Sequence, residues 1–219
     1  MKCKGAIFDM DGLLFDTERL YQQTWQEIAE ERHIVLDSRF SKAISGTNGT
    51  HMCRVIEKYY QVSDGLAIME ECMERMRKKL AIHVPIKEGV FEILQFFRGE
   101  GMPMAVASSS SRQQIEVNLE VAGIREYFEE IISGTEVKHG KPAPDIFLCA
   151  AKRLGLSAKE CFVFEDSENG VKAGHAAGCV TIMVPDLTEA SVEILPYCSK
   201  ICGSLLQARD EIMSFSKSD

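Results

Sequence analysis

Ala6-Ile7-Phe8-Asp9-Met10-Asp11-Gly12 is the stretch on which the fold turns. An apolar run stops abruptly at two acids, one residue apart, and then a glycine. Apolar residues bounded by a turn signal read as a buried strand of a parallel sheet. Ligands of open α/β sheets sit beyond the carboxyl ends of such strands. Strand alternation alone would send Asp9 and Asp11 to opposite faces. A backbone that turns at Met10, as Gly12 suggests, lets both border one small site. Read alone, the same residues also describe a solvated Asp-x-Asp-Gly turn.

The rest of the chain repeats the pattern. Pro103–Ala107, Glu130–Ser133, Glu160–Phe164 and Val180–Val184 are short apolar runs, each separated from the next by an amphipathic helix pattern. Lys200–Cys202 is a possible edge strand before a last helix from Ser204 to Phe215. Strands alternating with helices predict an α/β fold, a Rossmann-like parallel sheet with helices on both faces. One stretch breaks the rhythm. From about residue 16 to residue 83 the apolar spacing is helical throughout, with Leu20, Trp25, Ile28 and Ala29 on a first helix. Leu66, Met69, Met73, Met76 and Leu80 form the expected buried face of a fourth. The predicted organisation is therefore a core domain of residues 1–15 and 84–219, with a small all-helical cap domain, 16–83, inserted after the first strand.

Three strand candidates end in reactive side chains: Asp9 with Asp11, Ser108 with Ser109, and Glu165 with Asp166. Lys141 lies in the stiff loop Gly140-Lys141-Pro142-Ala143-Pro144. Each has a local reading: a polar loop, a helix N-terminus satisfying its dipole, a solvated lysine. Together on one sheet edge they make a site. Two carboxylates about 4 Å apart repel by about 4 kcal/mol at an effective dielectric of about 20. One lysine does not offset four of them. A divalent cation does, and an all-oxygen donor set favours Mg²⁺. Metal, lysine and hydroxyls are the requirements of phosphoryl transfer.

The 219 residues carry a formal net charge of -8 and are 45% hydrophobic. That balance disfavours nucleic acid as a partner. No apolar span suggests a membrane. The eight cysteines are scattered, with no Cys-x-x-Cys pair, and read as small buried hydrophobes of a cytoplasmic protein. A monomer acting on a small phosphorylated metabolite is expected.

Phe8-Asp9-Met10-Asp11-Gly12, Ala107-Ser108, Gly140-Lys141-Pro142 and Phe164-Glu165-Asp166-Ser167 resemble the four motifs of the haloacid dehalogenase superfamily, in order and across the whole chain. The resemblance is to the branch of β-phosphoglucomutases and phosphosugar phosphatases. It implies Asp9 as nucleophile, Asp11 as general acid/base, and Ser108, Ser109 and Lys141 as the phosphoryl grip. Mg²⁺ would be held by Asp9, Asp166 and the Asp11 carbonyl, with Glu165 acting through water. Dehalogenation is disfavoured, because dehalogenases of this superfamily lack the second aspartate.

Phosphatase and mutase remain alternatives. Where the mutases carry a histidine this chain has Tyr21, and where they grip a second phosphate it has Ser45 and Gly49. Hydrolysis of a monophosphate through an aspartyl phosphate is the favoured reading. A phosphosugar mutase is the alternative, and a receiver-like phospho-aspartate switch a third. The segment Asp16–Tyr21 also resembles pseudouridine 5′-phosphatases and sugar phosphatases. Substrate choice would fall to cap residues, with Thr17, Tyr21, Ser45, Asn48 and His51 the candidates.

Overall fold

The computed structural model describes residues 3–44, 47, 49–187 and 189–216, with the side chains of 215 and 216 excepted. The described residues divide into two compact units, Met1–Asp16 with Val84–Asp219, and Thr17–His83. Asp16 joins the first unit, one residue later than expected, because its amide is tied to the Pro85 carbonyl at 2.8 Å.

The first unit is built on six parallel strands: β1 (Gly5–Phe8), β2 (Met104–Ser108), β3 (Glu130–Ser133), β4 (Cys161–Glu165), β5 (Val180–Met183) and β6 (Lys200–Ile201). Their spatial order is β3-β2-β1-β4-β5-β6. The chain moves outward from β1 through β2 to β3, then returns to the other side of β1 for β4. That reversal opens a crevice beside the end of β1, where ligands of such sheets bind.

All four residues of β1 are buried, as a central strand covered on both faces must be. Alternation sorts the packing. Ile7 lies with Ala105, Ala107, Ile132 and Val163 against α7 (Asp145–Arg153) and Ala173 of α8 (Glu168–Ala177). Phe8 lies on the other face, stacked on Phe164 at 4.7 Å and edge-on to Phe97 of α5 (Val90–Gly99) at 6.0 Å. α6 (Arg112–Val121) and α9 (Leu205–Ser216) complete the unit.

Among the described residues the second unit is four helices: α1 (Thr17–Glu31), α2 (Phe40–Ile44), α3 (Gly49–Tyr60) and α4 (Gly65–Leu80). Trp25, Phe40 and Tyr60 form its aromatic centre, and the Tyr60 hydroxyl donates to the Trp25 carbonyl at 2.5 Å. Asp64 caps α4 by accepting from the Ala67 amide. The buried face of α4 keeps Met76 and Leu80 as expected but differs in the rest. It is Ile68, Cys72, Met76 and Leu80, whereas Leu66 and Met73 are exposed. The 3-4 spacing of the methionines and leucines marks one stripe, but packing follows the i+4 row, where ridges interdigitate with neighbouring helices. Among the described residues no helix is long and apolar enough to cross a membrane.

Candidate active site

β1 ends at Phe8, and the Asp9 amide still bonds the Phe164 carbonyl at 3.0 Å, so the aspartate stands at the strand mouth. The chain then turns. The amides of Leu14 and Phe15 both bond the Met10 carbonyl, and Gly12 takes φ +88°. A Cβ at Gly12 would lie 2.3 Å from Asp166 Oδ2, so only glycine lets this loop approach the end of β4. The turn expected at Met10 is present, and it leaves Asp11 near enough to raise the proton affinity of Asp9.

Lys141 enters from the loop ahead of α7. Its ammonium, on a side chain only 8% exposed, donates to Asp9 Oδ1, to Glu165 Oε1 at 2.5 Å and to the Ala107 carbonyl at 3.1 Å. Glu165 is fully buried. Its other oxygen accepts from the Ser167 amide at 3.0 Å and the Ser167 hydroxyl at 2.9 Å. Ser167 also caps α8, its hydroxyl accepting from the Gly170 amide.

Oxygens of Asp9, Glu165 and Asp166 lie within 4.8 Å of one another, the one such acidic cluster among the described residues. Burial pushes the Asp9 carboxyl up to about 7, with Glu165 and Asp11 adding to the rise and Lys141 opposing it. Burial, then Glu165 and Asp9, push Asp166 well above the usual carboxylate range. Burial disfavours the Lys141 charge, but Asp9 and Glu165 outweigh it and raise its proton affinity. Three carboxylates around one ammonium leave negative charge unbalanced, and the donors are all oxygen. A divalent cation fits that arrangement.

Asp11 borders this cluster, but its hydrogen bonds run to the end of β2. Its Oδ2 accepts from the Ser110 hydroxyl at 2.9 Å, with the Ser108 hydroxyl at 3.4 Å. Ser108, the last residue of β2, is buried. Ser109 is exposed, and it is Ser110 that reaches the site. Sequence reasoning passed over Ser110 and Ser133. The signal for the first was a run of four serines just past a strand end, spaced two apart from Ser108. Of the cap candidates, Thr17 is buried on α1. Tyr21, also on α1, directs its hydroxyl to the Met73 sulfur at 3.8 Å, and His51 is exposed on α3. Ser45 and Asn48 lie outside the described residues.

Sheet order, strand-end acids and a buried lysine define a parallel α/β protein with an acidic site at the carboxyl edge of its sheet. Residues 6–184 match the family described as haloacid dehalogenase-like hydrolase, and the chain belongs to that family. It is 34% identical over 176 residues to fructose-1-phosphate phosphatase of Escherichia coli (strain K12), across 80% of this chain and 92% of that protein. It is 33% identical over 221 residues to a Drosophila melanogaster protein named probable pseudouridine-5′-phosphatase, across 96% and 93%. Among solved structures, a HAD family hydrolase from Deinococcus radiodurans R1 with bound phosphate and sodium aligns with a TM-score of 0.84 at 26% identity, covering 97% of this chain and 96% of that one.

Proposed function

We propose that the protein is a Mg²⁺-dependent phosphatase that hydrolyses a small phosphorylated metabolite, a sugar phosphate or a nucleoside monophosphate, through an aspartyl phosphate on Asp9. The observation that carries this reading is the placement of Lys141 between Asp9 and Glu165, beside Asp166, with Asp11 held separately by serine hydroxyls. The names of the relatives point to the same substrate classes.

In this reading an Asp9 oxygen attacks phosphorus while the bond to the leaving oxygen breaks. Asp11 gives that oxygen its proton. It then takes a proton from the water that attacks the aspartyl phosphate, and phosphate leaves with Asp9 restored. Ser108 and Lys141, with the Ser109 backbone, grip the phosphoryl oxygens. Asp9, Asp166 and the Asp11 carbonyl would hold Mg²⁺, which supplies positive charge to those oxygens. Glu165, tied to Lys141 and Ser167, sets the height of the ammonium over the nucleophile. The helical unit, Thr17–His83, would serve as the cap that excludes water and selects the substrate, with Thr17, Tyr21, Ser45, Asn48 and His51 as its candidate contacts.

The test is phosphate release with Mg²⁺ from fructose 1-phosphate, pseudouridine 5′-phosphate and p-nitrophenyl phosphate. Steady turnover is expected, abolished by Asp9→Asn. Undiminished turnover in that variant, isomer without free phosphate, or a single stoichiometric phosphorylation would each overturn the proposal.

A further inference from the structure

We infer that Ser110 and Ser133 are positioning residues for Asp11, linked through the Ser110 carbonyl from the end of β3 across the end of β2 to the end of β1. This rests on the reading of Asp11 as the proton-transfer group.

The reasoning starts from donors. An ammonium has three N–H bonds. Those of Lys141 meet three acceptors, Asp9, Glu165 and the Ala107 carbonyl. The one buried cation of the cluster is thus fully engaged away from Asp11. At the β2 end, two hydroxyls face the Asp11 carboxylate. Ser110 Oγ, at 2.9 Å, is within ordinary O–H···O range, whereas Ser108 Oγ, at 3.4 Å, lies beyond it. Ser108 Oγ instead accepts from the Ser110 amide at 3.1 Å.

Ser110 lies past the strand, on a loop, so its hydroxyl is only as well placed as its backbone. Ser133 supplies the anchor. Fully buried at the last position of β3, it donates its hydroxyl to the Ser110 carbonyl at 2.6 Å. The direction of that bond is unambiguous, since a carbonyl only accepts. The Ser133 oxygen accepts in turn from the Thr135 amide, and its own amide donates to Glu136. Gly134 completes the seat: a Cβ there would come within 3.0 Å of Ser109 Cα. Neither serine is assigned a contact with the reacting atoms. They set where Asp11 stands when its proton passes to the leaving oxygen as the phosphorus–oxygen bond breaks.

A misplaced general acid hurts poor leaving groups more than good ones, because nitrophenolate departs without a proton. The experiment measures kcat/KM for phenyl phosphate and p-nitrophenyl phosphate in the Mg²⁺-loaded enzyme. Ser110→Ala is expected to lose about tenfold or more on phenyl phosphate and less than about threefold on p-nitrophenyl phosphate. Ser110→Thr, which keeps the hydroxyl, restores most of the loss. Ser133→Ala shows the same leaving-group pattern at smaller size. If Ser110→Ala does not fold, Ser110→Cys, a weaker donor, carries the comparison. Equal losses on both substrates, a change in KM alone, or wild-type rates overturn the inference. Asp9→Asn run in parallel separates the two failures. If it is inactive while Ser110→Ala is unchanged, only the inference falls, whereas an active Asp9→Asn removes the phosphatase reading itself.

Discussion

Asp9 illustrates what burial does to a single side chain. Its carboxyl holds its proton up to about 7, against an ordinary value of 3.8, chiefly because burial disfavours the charge. The folded protein therefore binds this proton more tightly than the unfolded chain. The stability it contributes is whole below about 3.8 and lost as pH rises to about 7. Asn at this position carries no such penalty. In metal-free protein, Asp9→Asn should gain on the wild type as pH rises through that window and keep its lead above it. Urea denaturation at about pH 5 and about pH 8 measures the gap, and a gap that does not widen would contradict the assignment. The same substitution removes the nucleophile, so stability and activity should move in opposite directions.

At the scale of elements, two contacts decide how the sheet's carboxyl edge is held. The first is between α8 and β4. A Gly-to-Ala change in a helix ordinarily stabilises by about 1 kcal/mol. At Gly170 the added Cβ would sit 1.8 Å from Glu165 Oε1, and that carboxylate is pinned by Lys141 and Ser167. Gly170→Ala should therefore reverse the sign and cost about 1–3 kcal/mol, with a fall in kcat, as read by thermal unfolding and phosphate release. The second contact joins the loop after β5 to the segment ahead of α5, where Lys87 pairs with Asp186. The Lys87 side chain is 21% exposed and that of Asp186 only 7%, and Asp186 Oδ2 is buried with no hydrogen-bond partner among the described residues. Removing either partner strands the other charge, but Lys87 reaches water and Asp186 does not. Lys87→Met should cost on the order of 3–5 kcal/mol and Asp186→Asn distinctly less. Equal losses in denaturation would show that exposure does not set the penalty.

Across the whole molecule, the thiols report how tightly the chain is packed. Burial pushes Cys72 and Cys179 up to about 12 and Cys161 up to about 11. Near pH 8 their thiolate fractions are then on the order of one in a thousand or less, so these three should resist alkylation in the native protein and react on unfolding. Mass spectrometry after a short native pulse of iodoacetamide checks this. Modification of Cys72 before unfolding would mean that the helical unit opens on its own.

Local order determines what could be read without coordinates. Apolar runs and turn residues act over a few positions, so β1 and β3 were legible from their own residues. The acids at strand ends were legible for the same reason, because a parallel strand must stop where its apolar run stops. Tertiary structure alone decided who meets whom. Packing kept Met76 and Leu80 of the expected face of α4 but buried Ile68 and Cys72 in place of Leu66 and Met73. Ser110 and Ser133 lie 23 positions apart and carry no distinguishing neighbours, so nothing local links either to Asp11. The three acceptors around Lys141 come from three different strand ends, a coincidence that exists only once the sheet order is set. Secondary structure answers to nearest neighbours along the chain, whereas the balance of charge and hydrogen bonds in a buried site answers to distances that only the folded chain establishes.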